Sequence, residues 1–185
     1  FYTYIDKLGL TSKTGIDIAG EAGTIIHKKE NVGEVELATM SFGQSFQITP
    51  MQMLRAAAAI VNGGNLVTPH FAIRTCAADK TTYSEFSYST TQEAVSKETS
   101  DTMKDILRQV VEEGGGKNAY IEGFSIGGKT ATSQKLPRGS GKYIASFIGF
   151  SDVTDPSVIA MCLIDEPQGV YGSQSAAGYR GGTPG

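Results

Sequence analysis

The stretch Gly123-Phe-Ser-Ile-Gly-Gly-Lys-Thr-Ala-Thr-Ser-Gln134 decides the fold, because it permits two incompatible interpretations. Its first eight residues match G-x-x-x-x-G-K-[ST], the pattern of a loop that binds phosphate through its backbone amides. The same residues also fit the end of an extended strand, for which residues 120–134 are a candidate. The first interpretation predicts a nucleotide site and the second predicts a sheet, so the residues that follow have to discriminate between them.

The residues after Lys129 argue against a phosphate-binding loop. Such a loop requires a helix that starts at its lysine, so that the helix N-terminal amides face the phosphates. Weak helix formers follow the lysine here, and Pro137 would break the helix at a cost of about 3 kcal/mol. The 55 residues after Thr130 are also too few for a parallel sheet, since each βαβ unit takes roughly 30 residues. Nucleotide binding is kept as a remote alternative, because an apolar run in the chain ends in two carboxylates at 165–166.

Three strand candidates follow one another near the end of the chain, at 120–134, 143–150 and 158–164. The links between them are short and rich in turn residues. A parallel crossover needs a dozen or more residues, so these links favour an antiparallel meander. The unbroken apolar run at 158–164 predicts a strand covered on both faces, with Cys162 as a buried and inert thiol.

Two helices are predicted before these strands. The first is capped by Thr49, with a proline at the first helical position and Gln52 completing a capping box. The second follows Ser96, carries apolar residues at helical spacing and ends at the glycine run 114–116. Residues 66–95 between them are predicted to form an irregular hairpin excursion. Helices combined with an antiparallel meander predict an α/β (α+β) fold with helix–sheet–helix layers.

The composition narrows the class of protein. The chain has 185 residues, of which 39% are hydrophobic and 19% charged, as is typical of a globular protein. A net charge of −3 provides no basic surface for nucleic acid, so we expect no such partner. No apolar run approaches the ~20 residues of a membrane span. The cysteines and histidines lack metal-ligand spacing, and we expect neither a metal nor a cofactor.

Several stretches carry a more specific signal. They are FYTYIDKLGLTSKTGIDIAGE (1–21), LATMSFGQSFQITPMQMLRAAAAIVNGG (37–64), IGGKTATSQ (126–134), ASFIGFSD (145–152) and VYGSQSAA (170–177). In this order they resemble the transpeptidase domain of class B penicillin-binding proteins of the sporulation or cell-division type. The resemblance implies a penicillin-binding transpeptidase-like (β-lactamase-like) fold. It implies that residues 1–185 are the C-terminal part of a single such domain, incomplete by itself and ending in a glycine-rich tail at 178–185.

The resemblance also assigns roles to residues of the 126–134 stretch. In this family a serine and lysine in Ser-x-x-Lys, a Ser-x-Asn element and a Lys-Thr-Gly strand perform acyl transfer. Carried over, the catalytic residues are Lys129, which shapes proton transfer and holds the substrate carboxylate, and Thr132, whose backbone N–H forms half of an oxyanion hole. The substrate-binding residues are Thr130, whose hydroxyl bonds the carboxylate, with Gly128 and Ala131.

A second copy of the triplet, Lys13-Thr14-Gly15, spells the family pattern without any change. It lies in an early segment with no flanking strand. We interpret it as a structural turn with its glycine at a positive φ.

The chain departs from the family in two respects. Ala131 replaces a glycine, and the added methyl is expected to narrow the site or to reduce affinity for bulky β-lactams. No serine in the chain begins Ser-x-x-Lys or Ser-x-Asn. The order of motifs in the family places both before residue 1.

The resemblance implies a D,D-transpeptidase that attacks the D-Ala-D-Ala end of a peptidoglycan stem peptide, forms a serine acyl-enzyme and cross-links the cell wall. It implies β-lactam binding, a location at the extracytoplasmic face of the bacterial plasma membrane, and an anchor outside this chain. We expect the chain to be inactive alone, with the missing N-terminal half of the domain as its partner. The alternative is a scaffold or binding module that keeps the fold without the chemistry.

Overall fold

The computed structural model describes residues 1–137 and 139–168, so the predicted tail at 178–185 and the stretch 170–177 lie outside the described residues. Helices and antiparallel strands are mixed, which confirms the predicted α+β class. In chain order the elements are α1 (Tyr2–Lys7), a 3-10 turn (Lys29–Asn31), α2 (Glu34–Ser41), α3 (Pro50–Val61), β1 (Leu66–Val67), β2 (Arg74–Cys76), β3 (Tyr83–Glu85), β4 (Thr90–Thr91), α4 (Lys97–Glu112), a second 3-10 turn (Lys117–Ala119), β5 (Ile126–Gln134), β6 (Tyr143–Ser151) and β7 (Val158–Asp165).

The chain divides into two compact units, Phe1–Ser100 and Asp101–Gly185, with the boundary in the first turn of α4. Helix α3 provides the centre of the first unit. Two buried apolar clusters contain its alanines, and their small side chains allow neighbouring segments to approach the helix closely. The first cluster holds Ile5, Leu10 and Ala56, and the second holds Ala59, Leu66 and Ala94.

The start of α3 is fixed by a buried amide side chain. Thr49 Oγ1 accepts the Gln52 N–H at 3.1 Å, and Gln52 Oε1 accepts the Thr49 N–H at 2.8 Å, which confirms the predicted capping box. The Gln52 side chain is fully buried. Its Nε2 donates to the Ser12 carbonyl and to Thr24 Oγ1, both at 2.6 Å. Because these bonds satisfy the buried amide, they tie two N-terminal segments to the helix at little desolvation cost.

The triplet Lys13-Thr14-Gly15 belongs to a loop, in agreement with the sequence interpretation. It lies outside every helix and strand, and Gly15 has φ +77°. The Glu21 carboxylate accepts the Thr14 N–H at 2.7 Å and the Gly15 N–H at 3.3 Å. These two hydrogen bonds to the Glu21 carboxylate therefore close the loop.

Residues 66–95 contain four short strands in two antiparallel pairs. Strand β1 pairs with β4, and β2 pairs with β3. The Asp17 carboxylate accepts the backbone N–H groups of Ala72, at 2.7 Å, and Phe71, at 2.9 Å, and these two bonds lower the pKa of Asp17. The loop before β2 is thereby connected to the N-terminal segment.

The second unit contains the predicted antiparallel meander, in the order β5-β6-β7. Strand β5 pairs with β6 from Ile126↔Ser151 to Gln134↔Tyr143. The strand starts later than the predicted residue 120. A turn precedes it, in which the Phe124 N–H donates to the Ile121 carbonyl.

The prediction that β7 is covered on both faces was wrong. Val158, Ala160 and Cys162 are exposed, so the Cys162 thiol is not buried. Ile159 and Met161, which point to the other face, are half-buried. An apolar run shows that both faces lack polar groups, but it does not identify which part of a protein packs against each face.

We expect Gln52→Ala to lower the free energy of unfolding by about 2–4 kcal/mol, because it removes three hydrogen bonds and leaves their partly buried partner groups unpaired. Urea unfolding followed by circular dichroism measures the change. Gln92→Ala serves as the control, since Gln92 is an exposed loop residue. Equal effects of the two substitutions would contradict the structural role of Gln52.

Candidate functional site

The predicted site residues lie on β5, which is an outer strand of the described sheet. Strand β6 occupies one side of it, and β7 lies beyond β6. The structure places Gly128, Lys129, Thr130, Ala131 and Thr132 consecutively within this strand. The strand continues through Lys129, and no helix begins there, so the phosphate-loop interpretation is wrong.

The hydrogen-bonding pattern determines which backbone groups of β5 face away from β6. Bonded and non-bonded pairs alternate along an antiparallel ladder. The Lys135 N–H donates to the Lys142 carbonyl at 2.9 Å, which continues the β5–β6 register as a bonded pair. Residues at odd positions of β5 therefore bond to β6, and those at even positions direct their N–H and C=O groups to the outer edge. Gly128, Thr130 and Thr132 present their backbones there.

The side chains of the site divide between the two faces of β5. Lys129 and Ala131 point to one face and are both exposed. Thr130 and Thr132 point to the other face and are half-buried. The Lys129 ammonium donates to the Thr130 carbonyl at 2.9 Å, and by the ladder alternation that carbonyl belongs to the outer edge. The arrangement therefore places a cation, two hydroxyls and outward backbone groups along one strand edge.

Two glycines at the start of β5 are required by aromatic rings on β6. A Cβ on Gly127 would lie 2.3 Å from the Phe150 ring. A Cβ on Gly128 would lie 2.4 Å from the Phe147 ring and 2.7 Å from the Ile148 carbonyl oxygen. Both glycines are buried. The sequence interpretation placed Gly128 only in substrate binding and missed this packing, which a glycine pair opposite Phe-x-x-Phe in an antiparallel register could have signalled.

The far end of the β5–β6 hairpin is closed by an ion cluster that the sequence interpretation also missed. The Lys135 ammonium contacts Glu166 Oε1 at 2.8 Å and Asp165 Oδ1 at 2.9 Å, and the Lys142 ammonium contacts Glu166 Oε2 at 3.0 Å. The hydrogen bonds to Glu166 and then to Asp165 raise the pKa of Lys135. Hydrogen bonds from Lys135, which has the larger effect, and from Lys142 lower the pKa of Glu166. The cluster therefore joins the turn after β5 to the end of β7.

The described residues contain no group of three or more His, Cys, Asp or Glu side chains placed to hold a metal ion. Within the same residues, no helix is both long enough and apolar enough to cross a bilayer.

Comparison with known proteins finds matches to one protein family over nearly all of the chain. The family model for the penicillin binding protein transpeptidase domain matches residues 1–180. Stage V sporulation protein D of Bacillus subtilis is 41% identical over 182 residues, which are 95% of this chain and 28% of that protein. The probable peptidoglycan D,D-transpeptidase PenA of Neisseria meningitidis is 31% identical, over 98% of this chain and 29% of its own length. The chain thus spans less than a third of these relatives.

Solved structures agree with this comparison. Penicillin-binding protein 3 of Mycobacterium tuberculosis, complexed with ampicillin, matches with a TM-score of 0.83 and 28% identity over 90% of this chain and 39% of that one. A peptidoglycan glycosyltransferase, assigned as putative, from Atopobium parvulum matches with a TM-score of 0.77 and 29% identity, covering 95% of this chain and 42% of that chain.

We expect Gly128→Ala to destabilise the sheet by about 1–3 kcal/mol, because the new methyl group meets a ring and a backbone oxygen that cannot both move away. Urea unfolding measures the loss. Gly23→Ala is the matched control, since a Cβ at Gly23 meets nothing within 4 Å. A Gly128→Ala protein as stable as the Gly23→Ala protein would refute this packing argument.

We expect the ion cluster to make the chain more sensitive to acid. The pKa of Glu166 is lowered below its ordinary value of 4.5, so its contribution to stability is complete above that pH and is lost as the pH falls through the folded-state value. The difference in Tm between the natural chain and Glu166→Gln should therefore stay constant from neutrality down to about pH 4.5 and should shrink below that pH. Glu113→Gln, at an exposed position, is the control, and a difference that stays constant with pH would contradict the assignment.

Proposed function

Since the chain belongs to the penicillin-binding protein transpeptidase family, we propose that it forms the substrate-binding strand of a serine D,D-transpeptidase that cross-links peptidoglycan. The observation that carries the proposal is the outer edge of β5, where Lys129, Thr130 and Thr132 lie within one stretch of four residues. The donor substrate is a stem peptide that ends in D-Ala-D-Ala, and β-lactams occupy the same edge.

The backbone direction of β5 supports the binding mode. An extended peptide can add to a sheet edge through the strand's outward N–H and C=O groups. The Thr132 N–H stabilises the oxyanion that develops on the attacked carbonyl, while the Thr130 hydroxyl and the Lys129 ammonium bind the terminal carboxylate. The attacked carbonyl lies at Thr132 and the C-terminal carboxylate at Thr130, so the peptide runs antiparallel to β5.

The chemistry requires a nucleophile from elsewhere in the natural protein, because no serine in this chain begins Ser-x-x-Lys. The serine Oγ attacks the carbonyl of the penultimate residue, the peptide C–N bond breaks, and D-alanine leaves with a proton. The amine of a second stem peptide then attacks the acyl-enzyme, which releases the serine and forms the cross-link. Lys129 supplies positive charge beside this proton transfer.

We assign the nucleophile to an N-terminal half of the same domain, which is the partner of this chain. The limited span of the chain along its relatives supports this assignment. Stem peptides are found outside the plasma membrane. We therefore place the protein at the extracytoplasmic face of the plasma membrane, with an anchor outside the chain. Its similarity to a sporulation protein supports a role in sporulation or cell division.

A labelled penicillin tests the proposal on this chain and on the longer natural protein. We expect an adduct only on the longer protein, because only that protein carries a serine nucleophile. Within it, Lys129→Ala should slow acylation by about a hundredfold or more, as removal of a charge that acts in the transition state typically does.

Lys13→Ala is the matched control, because Lys13 also begins a Lys-Thr-x triplet, and that triplet lies in a loop. It should acylate at the natural rate. An adduct on this chain alone would refute the missing nucleophile. The absence of an adduct on both proteins would favour the non-catalytic scaffold.

A further inference from the structure

The side chain of Phe147 lies on the same face of the sheet as the side chain of Thr130. The register pairs Thr130 of β5 directly with Phe147 of β6, and facing residues of an antiparallel pair project to the same face. Thr130 is at an even position of β5, so the pair is a non-hydrogen-bonded one. At such positions the two Cβ atoms lie about 4.5–5.5 Å apart, and the side chains are closer than at bonded positions. Phe147 is therefore the direct cross-strand neighbour of the Thr130 side chain.

Two glycines determine where the Phe147 ring lies on this face. A Cβ on Gly128 would lie 2.4 Å from Phe147 Cζ and 3.0 Å from Phe147 Cε2. A Cβ on Gly149, which pairs with Gly128, would lie 2.7 Å from Phe147 Cε1. The outer half of the ring therefore fills the space over both glycines, on the side of Thr130 that is closer to the start of β5.

The two branches of the Thr130 side chain differ in how well they pack against an aromatic ring. A methyl group gains dispersion contacts there. A hydroxyl group that faced the ring would lose hydrogen bonds to water, because the ring offers no oxygen or nitrogen to pair with it. The χ1 torsion of a β-branched side chain is stiff, so the placement of one branch fixes the direction of the other. For the half-buried Thr130, the ring therefore favours the rotamer with the methyl group toward β6.

We propose, on the basis of the function proposed above, that Phe147 is a positioning residue for acyl transfer: its ring holds the Thr130 methyl group and so directs the Thr130 hydroxyl to the outer edge of β5, where the substrate carboxylate binds. The ring acts through Thr130 and not through the substrate itself. The two glycines contribute by leaving room for the ring beside this threonine.

A penicillin carries the carboxylate that the Thr130 hydroxyl is proposed to bind. The second-order rate constant of acylation by a labelled penicillin, measured on the longer natural protein, therefore tests the proposal. Thr130→Val keeps the branched shape without the hydroxyl, and it should lower this rate constant by about tenfold or more, the loss expected for a hydrogen bond to a charged group. Phe147→Leu should lower it by about threefold, because the hydroxyl would then be distributed over three staggered rotamers.

The matched control is the same Phe147→Leu substitution made in the Thr130→Val protein. It should cause no further loss of the acylation rate constant there, because no hydroxyl remains to be directed. A ring that served only the packing of the sheet would cause the same loss in both backgrounds. Thr130→Ser keeps the hydroxyl and removes the methyl group that the ring holds, so it should by itself lower the rate constant by about threefold.

Equal losses from Phe147→Leu in the natural and the Thr130→Val backgrounds would overturn the proposal. A Thr130→Ser protein that acylates at the natural rate would also overturn it, and this result does not depend on whether the Phe147→Leu protein folds. A natural protein that formed no penicillin adduct would instead refute the transpeptidase function on which the proposal rests.

Discussion

Two phenylalanine rings of β6 lie across two consecutive glycines of β5, and this contact sets the register of the sheet. The rings of Phe150 and Phe147 occupy the space that side chains at Gly127 and Gly128 would need. A slip of one residue would bring a ring against a side chain and would exchange the two faces of the strand. The positions of Lys129, Thr130 and Ala131 relative to the sheet therefore depend on the contacts made by the two residues immediately before Lys129.

The same register decides which backbone groups of β5 face away from β6. Residues at even positions of β5 direct their amides away from β6, so the Thr132 N–H points to the outer edge, where the proposed oxyanion role requires it. At the other end of the hairpin, Lys135, Lys142 and Glu166 join the turn to β7. Aromatic packing at one end and charge pairing at the other thus hold the intervening strand, which is the support that a preorganised site needs.

The two Lys-Thr-x triplets, Lys13-Thr14-Gly15 and Lys129-Thr130-Ala131, adopt different structures because their neighbouring residues differ. The amides of Thr14 and Gly15 bind the Glu21 carboxylate in a closed loop. Lys129 and Thr130 instead lie in an extended strand with one outer edge. The triplets differ at one residue, yet the first lies in a closed loop and the second lies along the outer edge of β5. The difference comes from the neighbouring residues, because only extended backbone directs alternate amides away from the paired strand.

The sequence by itself determined the capping box at Thr49 and Gln52, the antiparallel meander and the family, because these depend on local patterns and on the order of motifs. It also located the Lys129–Thr132 segment. It could not determine that Gly127 and Gly128 lie under Phe150 and Phe147, nor that Lys135 pairs with Glu166, since these residues are distant in the chain and meet only when the sheet forms. The prediction of a buried Cys162 failed for the same reason: hydrophobicity is a property of a residue, whereas burial depends on which segment packs against it. The tertiary structure alone decided that Ala131 lies at an exposed position between two outward-facing amides, because only the strand register assigns each residue to a face and an edge.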